Sequence, residues 1–164
     1  MQKMGVVVRP FTIADLPALY RLIPRLWIEQ GHTPTNEVWI DTSRDFIKAH
    51  LGTLVFGAVA VDSSSPSEIV SCGFGVIWQQ IPSFWIPTGR QGYCQWFYTA
   101  PEHRGQKLGD QIMRIVMDWF VGQGITRVQL NATHKAMPFY ERFGFELAQE
   151  RPQMQWVKPG VSSI

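Results

Sequence analysis

Apolar and polar positions change period several times along this chain, and each change marks an element. Val6 to Arg9 is short and β-prone and predicts a first strand. Thr12 then stands as an N-cap with Asp15 three residues on, an acidic form of the capping box. Leu16, Leu19, Tyr20, Ile23 and Trp27 recur at helical spacing, so 13–29 reads as a helix that Pro24 should kink or split. Gly31 to Thr35 is a break. Asn36 can cap a second helix running to about His50, with Trp39, Ile40, Phe46 and Ile47 as its apolar positions. Leu54 to Val61 and Ile69 to Trp78 read as strands around the Ser63–Ser67 turn.

Gln80 to Gln91 carries Pro82, Pro87 and Gly89 and reads as a loop, of a length that in compact domains often serves function. Gly92 to Thr99 is the next strand. After Pro101 comes a short basic, glycine-bearing stretch, Arg104 to Gly109. A helix follows with a clean stripe of Leu108, Ile112, Ile115, Val116, Trp119 and Phe120, ended by Gly122 and Gly124. Arg127 to Asn131 reads as a strand, Lys135 to Arg142 as a short helix closed by Gly144, and Phe145–Gln149 with Met154–Val157 as final strands around Pro152. No repeat, low-complexity tract or linker interrupts this order, so 1–164 is expected to be a single α/β (α+β) domain on a mixed sheet.

Composition narrows the classes. The chain has 164 residues, 45% of them hydrophobic and 17% charged, as in a globular protein with a substantial core. A formal charge of +2, with no Lys/Arg stripe, argues against a nucleic-acid partner. The longest apolar run, Thr53 to Val61, is too short for a membrane span. The N-terminus lacks a secretory pattern, so a cytoplasmic location is expected. Cys72 and Cys94 sit on apolar strands and read as buried free thiols of a reducing compartment. No His pairs with Cys, Asp or Glu at metal-ligand spacing, so no metal is expected.

The strand, proline stop, loop and amphipathic helix around 97–109 form a recipe for holding phosphates. A helix N-terminus offers unpaired N–H groups and partial positive charge, and Gly105 and Gly109 allow close backbone approach. The stretch is not a triphosphate P-loop, because no Gly-Lys-Ser/Thr follows. Gly73 and Gly75 form a lone G-x-G with Trp78 where a dinucleotide fingerprint needs its third glycine.

A second block, Leu130-Asn131-Ala132-Thr133 and then Pro138 to Phe145, makes the pair distinctive. Together they resemble the GNAT superfamily of N-acetyltransferases. The family signature Arg/Gln-x-x-Gly-x-Gly/Ala reads here as Arg104-x-x-Lys107-x-Gly109, with Lys107 at the usual middle glycine. Ala136 to Phe145 fits the family's A-x-x-[apolar]-Y-x-x-x-G-F pattern. The resemblance is strong over about 92–146. It implies the GNAT fold, a central mixed and largely antiparallel sheet flanked by helices, with a splayed strand pair at an acetyl-CoA site. It also implies that Phe97, Tyr98 and Thr99 lie along the pantetheine arm, with a backbone N–H near Phe97 or Tyr98 polarising the thioester carbonyl. The pyrophosphate falls to the N–H groups of Arg104, Gly105, Gln106, Lys107, Leu108 and Gly109, and Asn131 meets the cofactor from the other side.

Tyr140 takes the catalytic role by the same resemblance. A phenol of pKa ~10 suits a leaving thiol of ~8.5, so Tyr140 can protonate the departing sulfur. Outside that context it reads as a packing aromatic beside Phe139 and Phe143. The general base stays unassigned; Glu29, His32, Glu37 and Asp41 are candidates, and Gln95 is polar but no base. Cys94 has no His or acidic partner near it in sequence and reads as a structural thiol rather than a nucleophile. Most of the aromatic excess over 27–85 reads as core packing, while the resemblance implies an acceptor pocket of the first two helices and the Gln80–Gln91 loop, which Trp27, Trp39 and Trp85 would line. The expected activity is direct acetyl transfer from acetyl-CoA to an amine, on a small-molecule acceptor. A non-catalytic acyl-CoA-binding sensor is the alternative, and a peptide N-terminus or lysine a third acceptor class. A homodimer stays open.

Overall fold

The structure is a computed structural model that describes residues 5–34, 37–148 and 154–161. These fall into two compact units, divided between Leu130 and Asn131. The first unit holds β1 (Val6–Pro10), α1 (Leu16–Glu29), α2 (Val38–His50), β2 (Val55–Asp62), β3 (Ile69–Gln79), β4 (Arg90–Thr99), α3 (Leu108–Gly122) and β5 (Val128–Gln129). The second holds α4 (Met137–Glu141).

The strands lie in the order β1-β2-β3-β4-β5. The first three pairings are antiparallel and β4–β5 is parallel, so the sheet is mixed and largely antiparallel, as expected. Loops join β2 to β3 and β3 to β4, β1 reaches β2 through α1 and α2, and α3 is the crossover that a parallel pair requires.

The two faces of this sheet are built differently. On one, β3 and β4 present glycine where α3 crosses. A Cβ on Gly75 would sit 2.6 Å from the Phe120 ring, and on Gly92 2.7 Å from the same ring. A Cβ on Gly73 would meet the Phe97 ring at 2.5 Å and Ile112 at 2.7 Å. The lone G-x-G of the sequence is therefore a floor on which α3 rests. On the other face α1 packs Leu16, Leu19, Leu22 and Ile23 against Val59, Cys72 and Phe74, with Ile47 of α2 in the same core.

Some expected elements differ. α1 runs unbroken through Pro24. Proline costs about 3 kcal/mol in a helix interior, but burying Leu19, Leu22 and Ile23 returns roughly 1.5–3 kcal/mol each. The helix proper starts at Leu16, after a 3₁₀ turn at Ile13–Asp15. The proposed cap of α2, Asn36, lies outside the described residues. The strand expected at Arg127–Asn131 is paired only at Val128 and Gln129. The final strands are not formed among the described residues of 145–149 and 154–157, where no ladder partner exists. Strand propensity needs a neighbour to pair with, and without one it decides nothing.

Candidate active site

β4 is paired on both sides at its start and on one side after that. Gly92 and Tyr93 face Val128 and Gln129 of β5, and the Gly92 N–H donates to Arg127 O at 2.8 Å. Beyond Tyr93 the β5 side carries no ladder, while the β3 side continues to Thr99. The β4–β5 ladder therefore ends at Tyr93–Gln129, while β4 runs on to Thr99 against β3.

That stretch of β4 is kinked by a bulge. Cys72 pairs with Tyr98 and Phe74 with Gln95, so Gly73 stands opposite both Trp96 and Phe97. Trp96 takes φ 57°, in the left-handed region that costs a bulky residue on the order of 1–3 kcal/mol. Neighbours hold it there. The Cys72 thiol donates to Trp96 O at 3.2 Å, and burial pushes that thiol up to about 12, so it remains a donor. Ser71 Oγ donates to Tyr98 O at 3.1 Å. The Trp96 ring meets Trp27, Trp39 and Phe74 edge-on at centroid distances of 6.4, 6.2 and 5.9 Å. Trp27 and Trp39 touch at 4.6 Å, so these indoles fill one another's space rather than wall an open aromatic pocket. Trp85 is on the 80–89 loop and exposed.

The expected cofactor residues are spread over this strand and the loop after it. Phe97 turns to the α3 face above Gly73. Tyr98 is buried, and burial followed by a hydrogen bond to Glu29 raises its phenol. Thr99 Oγ1 pairs with Ser71 Oγ at 2.7 Å. A 3₁₀ turn at Pro101–His103 follows. Gly105 at φ 78° and Lys107 at φ 57° then lead into α3. The first backbone bond of that helix runs from the Gln111 N–H to Lys107 O at 3.2 Å. The N–H groups of Gly105, Gln106, Lys107, Leu108 and Gly109 have no acceptor among the described residues. Open N–H groups at a helix start are chemically suited to an anion.

Arg104 is arranged differently from its neighbours. Its N–H donates to Pro101 O at 3.3 Å. Its guanidinium makes a two-pronged pair with the Glu29 carboxylate at 2.9 and 2.7 Å, while Nε donates to Thr99 O at 3.0 Å. Arg25 pairs with Glu102 at 2.9 Å alongside. The last turns of α1 are thus tied to the loop by two ion pairs. Sequence reasoning missed this tie, since Glu29 and Arg104 are 75 positions apart.

In the second unit Tyr140 lies on α4, with Phe139 edge-on at 5.1 Å and Phe145 at 5.9 Å. Gly144, at φ 83°, closes the helix, and Asn131 is exposed at the start of the unit. Among the candidate bases, both Glu29 oxygens accept from Arg104, Asp41 pairs with Arg44, and His32 and Glu37 are exposed. Both cysteines are free and buried, and burial pushes the Cys94 thiol up to about 12, far from a nucleophile's range. Among the described residues no group of His, Cys, Asp and Glu could hold a metal ion, and no helix is long and apolar enough to cross a membrane.

Residues 16–145 match the model of the acetyltransferase (GNAT) family. The chain belongs to this family. Acetyl transfer from acetyl-CoA is the chemistry general to GNAT proteins. No match is found among curated proteins. Solved structures agree on the fold of this GNAT chain. A predicted acetyltransferase with acetyl-CoA from Clostridium acetobutylicum superposes with TM-score 0.80 at 20% identity, over 92% of this chain and 96% of that one. A GCN5-related N-acetyltransferase from Ralstonia eutropha gives 0.76 at 25% identity, over 94% and 98%. Glucosamine-6-phosphate N-acetyltransferase from Arabidopsis thaliana gives 0.71 at 19% identity, over 96% and 99%.

Proposed function

We propose that this GNAT chain is an N-acetyltransferase that moves the acetyl group of acetyl-CoA directly onto an amine of a small molecule. The observation that carries this reading is the end of the β4–β5 ladder at Tyr93, followed along the chain by the run Gly105 to Gly109, whose N–H groups have no acceptor among the described residues. An edge strand can add the amides of an extended arm, and the helix start can take the diphosphate at its end. The family match crosses the boundary at Leu130, which supports reading 1–164 as one catalytic domain. Buried free thiols suit a reducing cytoplasm.

Acetyl-CoA, as co-substrate, brings the thioester. Phe97, Tyr98 and Thr99 lie along its pantetheine, and a backbone N–H near Phe97 or Tyr98 polarises the carbonyl. The neutral amine nitrogen bonds to the carbonyl carbon and sheds one N–H proton to solvent, the C–S bond breaks, and Tyr140 gives its phenolic proton to the departing sulfur and regains one from solvent. Asn131 is a further cofactor contact in this reading.

The test is release of free thiol from acetyl-CoA against a panel of amines. Tyr140→Phe is expected to lower kcat about 100-fold with little change in acetyl-CoA KM. A fully active variant removes Tyr140 from the chemistry. If acetyl-CoA binds and no amine stimulates release, the chain is a non-catalytic acyl-CoA sensor.

A further inference from the structure

A cleft of about 60 Å³ lies between α2 and the sheet, and it touches the bulge. Phe74, Val76 and Val55 form its floor, Phe46 and Ile47 of α2 its roof, and Trp96 its rim. The pairings Val55–Val76 and Phe74–Gln95 place Gln95 on the same face as that floor. Two polar side chains reach the cleft, Ser43 and Gln95. Ser43 Oγ is already engaged, with the Tyr20 hydroxyl at 2.8 Å and Ile40 O at 3.2 Å. The half-buried Gln95 carboxamide has no hydrogen-bond partner among the described residues. It faces an apolar wall on the part of β4 beyond the β5 ladder, and a ligand can supply a partner.

Building on the acetyltransferase reading, we propose that this cleft is the acceptor site and that it takes a short alkyl primary amine with no other charged group. Gln95 Oε1 accepts an N–H of the amine, and the alkyl tail lies on Phe74 and Val76 beneath Phe46. No Asp, Glu, Lys, Arg or His lines the cleft, so a carboxylate or phosphate on the acceptor would be buried without a counter-charge. The volume is less than half of the ~150 Å³ that holds benzene, so a few carbons fit and a ring does not. The same walls disfavour the ammonium form and lower the pKa of the bound amine. The amine then sheds its proton to solvent at the open side without a dedicated base. The neutral nitrogen forms the amide bond and releases one N–H proton to solvent, the C–S bond breaks as the sulfur takes the Tyr140 proton, and the phenolate is reprotonated from solvent.

The test compares propylamine, glycine and glucosamine 6-phosphate as acceptors for the full chain, by thiol release and by calorimetric binding to the CoA-loaded protein. Propylamine is expected to have a KM at least about 10-fold below the other two. Gln95→Leu, which keeps size and apolar packing, is expected to raise the propylamine KM about 10-fold and leave the acetyl-CoA KM unchanged. A preference for either charged acceptor, or an unchanged propylamine KM in Gln95→Leu, overturns the proposal while leaving the acetyltransferase reading intact. If no amine turns over, the catalytic reading fails, and calorimetry still decides the cleft. Propylamine binding that is lost in Gln95→Leu upholds the site, and no binding to wild type removes it.

Discussion

α1 and α3 begin in opposite ways. Before α1, the Thr12 N–H and hydroxyl both donate to Asp15 Oδ2, at 2.8 and 3.1 Å, and the Leu16 N–H finds Ile13 O. Pro17 has no N–H to satisfy. Asp15, nearly buried, is in turn gripped by both arms of Arg9 at 2.8 Å. At α3 no side chain turns back to cap the helix. The run from Gly105 to Gly109 holds its N–H groups outward, on a backbone that passes twice through the left-handed region. The same unsatisfied donors exist at every helix start. At α1 the Leu16 N–H is taken by Ile13 O and Pro17 brings none, whereas from Gly105 to Gly109 no acceptor is found among the described residues. The Glu29–Arg104 pair joins the two, so the closed helix anchors the open one at its far end.

The sharpest way to break this contrast is to open the closed end. Asp15→Asn is expected to cost about 1–3 kcal/mol in chemical denaturation at neutral pH, through loss of the cap and of the charged partner of Arg9. Arg9, then the Thr12 donors, hold the Asp15 carboxyl below its usual value, against the upward push of burial. A lowered folded pKa gives stability that is complete above the unfolded value of ~3.9 and disappears as pH falls through the folded one. The gap between wild type and variant should therefore be constant from neutral pH to about 5 and close in acid. A gap that persists at low pH would make Asp15 a packing residue.

Cutting the tie comes next. Glu29→Gln is expected to raise the acetyl-CoA KM about 3–5-fold with kcat little changed, because the pair is part-exposed and such pairs contribute about 1 kcal/mol or less. Salt at about 1 M should raise the wild-type KM by more than that of the variant, both losing attraction for the diphosphate and only wild type losing the ion pair as well. A kcat effect instead would assign Glu29 to proton transfer. The smallest effect lies at the open end. Lys107→Gly removes the Cβ at φ 57° and should stabilise the chain by up to about 1 kcal/mol in a thermal melt. A destabilised variant would mean that the lysine side chain makes up for its backbone.

The difference between the two helix starts was partly legible in the sequence. Thr12 and Asp15 announced a closed cap through their spacing alone, and Leu108, Ile112, Val116 and Phe120 announced α3 through theirs. Such signals are local, since residues a few positions apart determine them. Lys107 carried a signal that only the structure explains, because the family's glycine at that place matches a left-handed backbone. Long-range features left no local trace. The bulge at Trp96 depends on the register between β3 and β4, and the role of Gly73 and Gly75 depends on which helix crosses them. Arg104 reads as a phosphate ligand until Glu29 is placed beside it. Met113, absent from the predicted stripe, is fully buried because the apolar face of α3 is wider than a single row.

The glycine floor under α3 has a consequence for how this protein can be altered. Gly73, Gly75 and Gly92 leave no room for a side chain, so the α3 side of the sheet tolerates almost no drift. The cleft beneath α2 shares the sheet but none of those positions. Ser43, Phe46 and Gln95 line it without belonging to the buried core. A library confined to Ser43, Phe46 and Gln95 would vary what the chain accepts and leave untouched the platform that carries the open helix start.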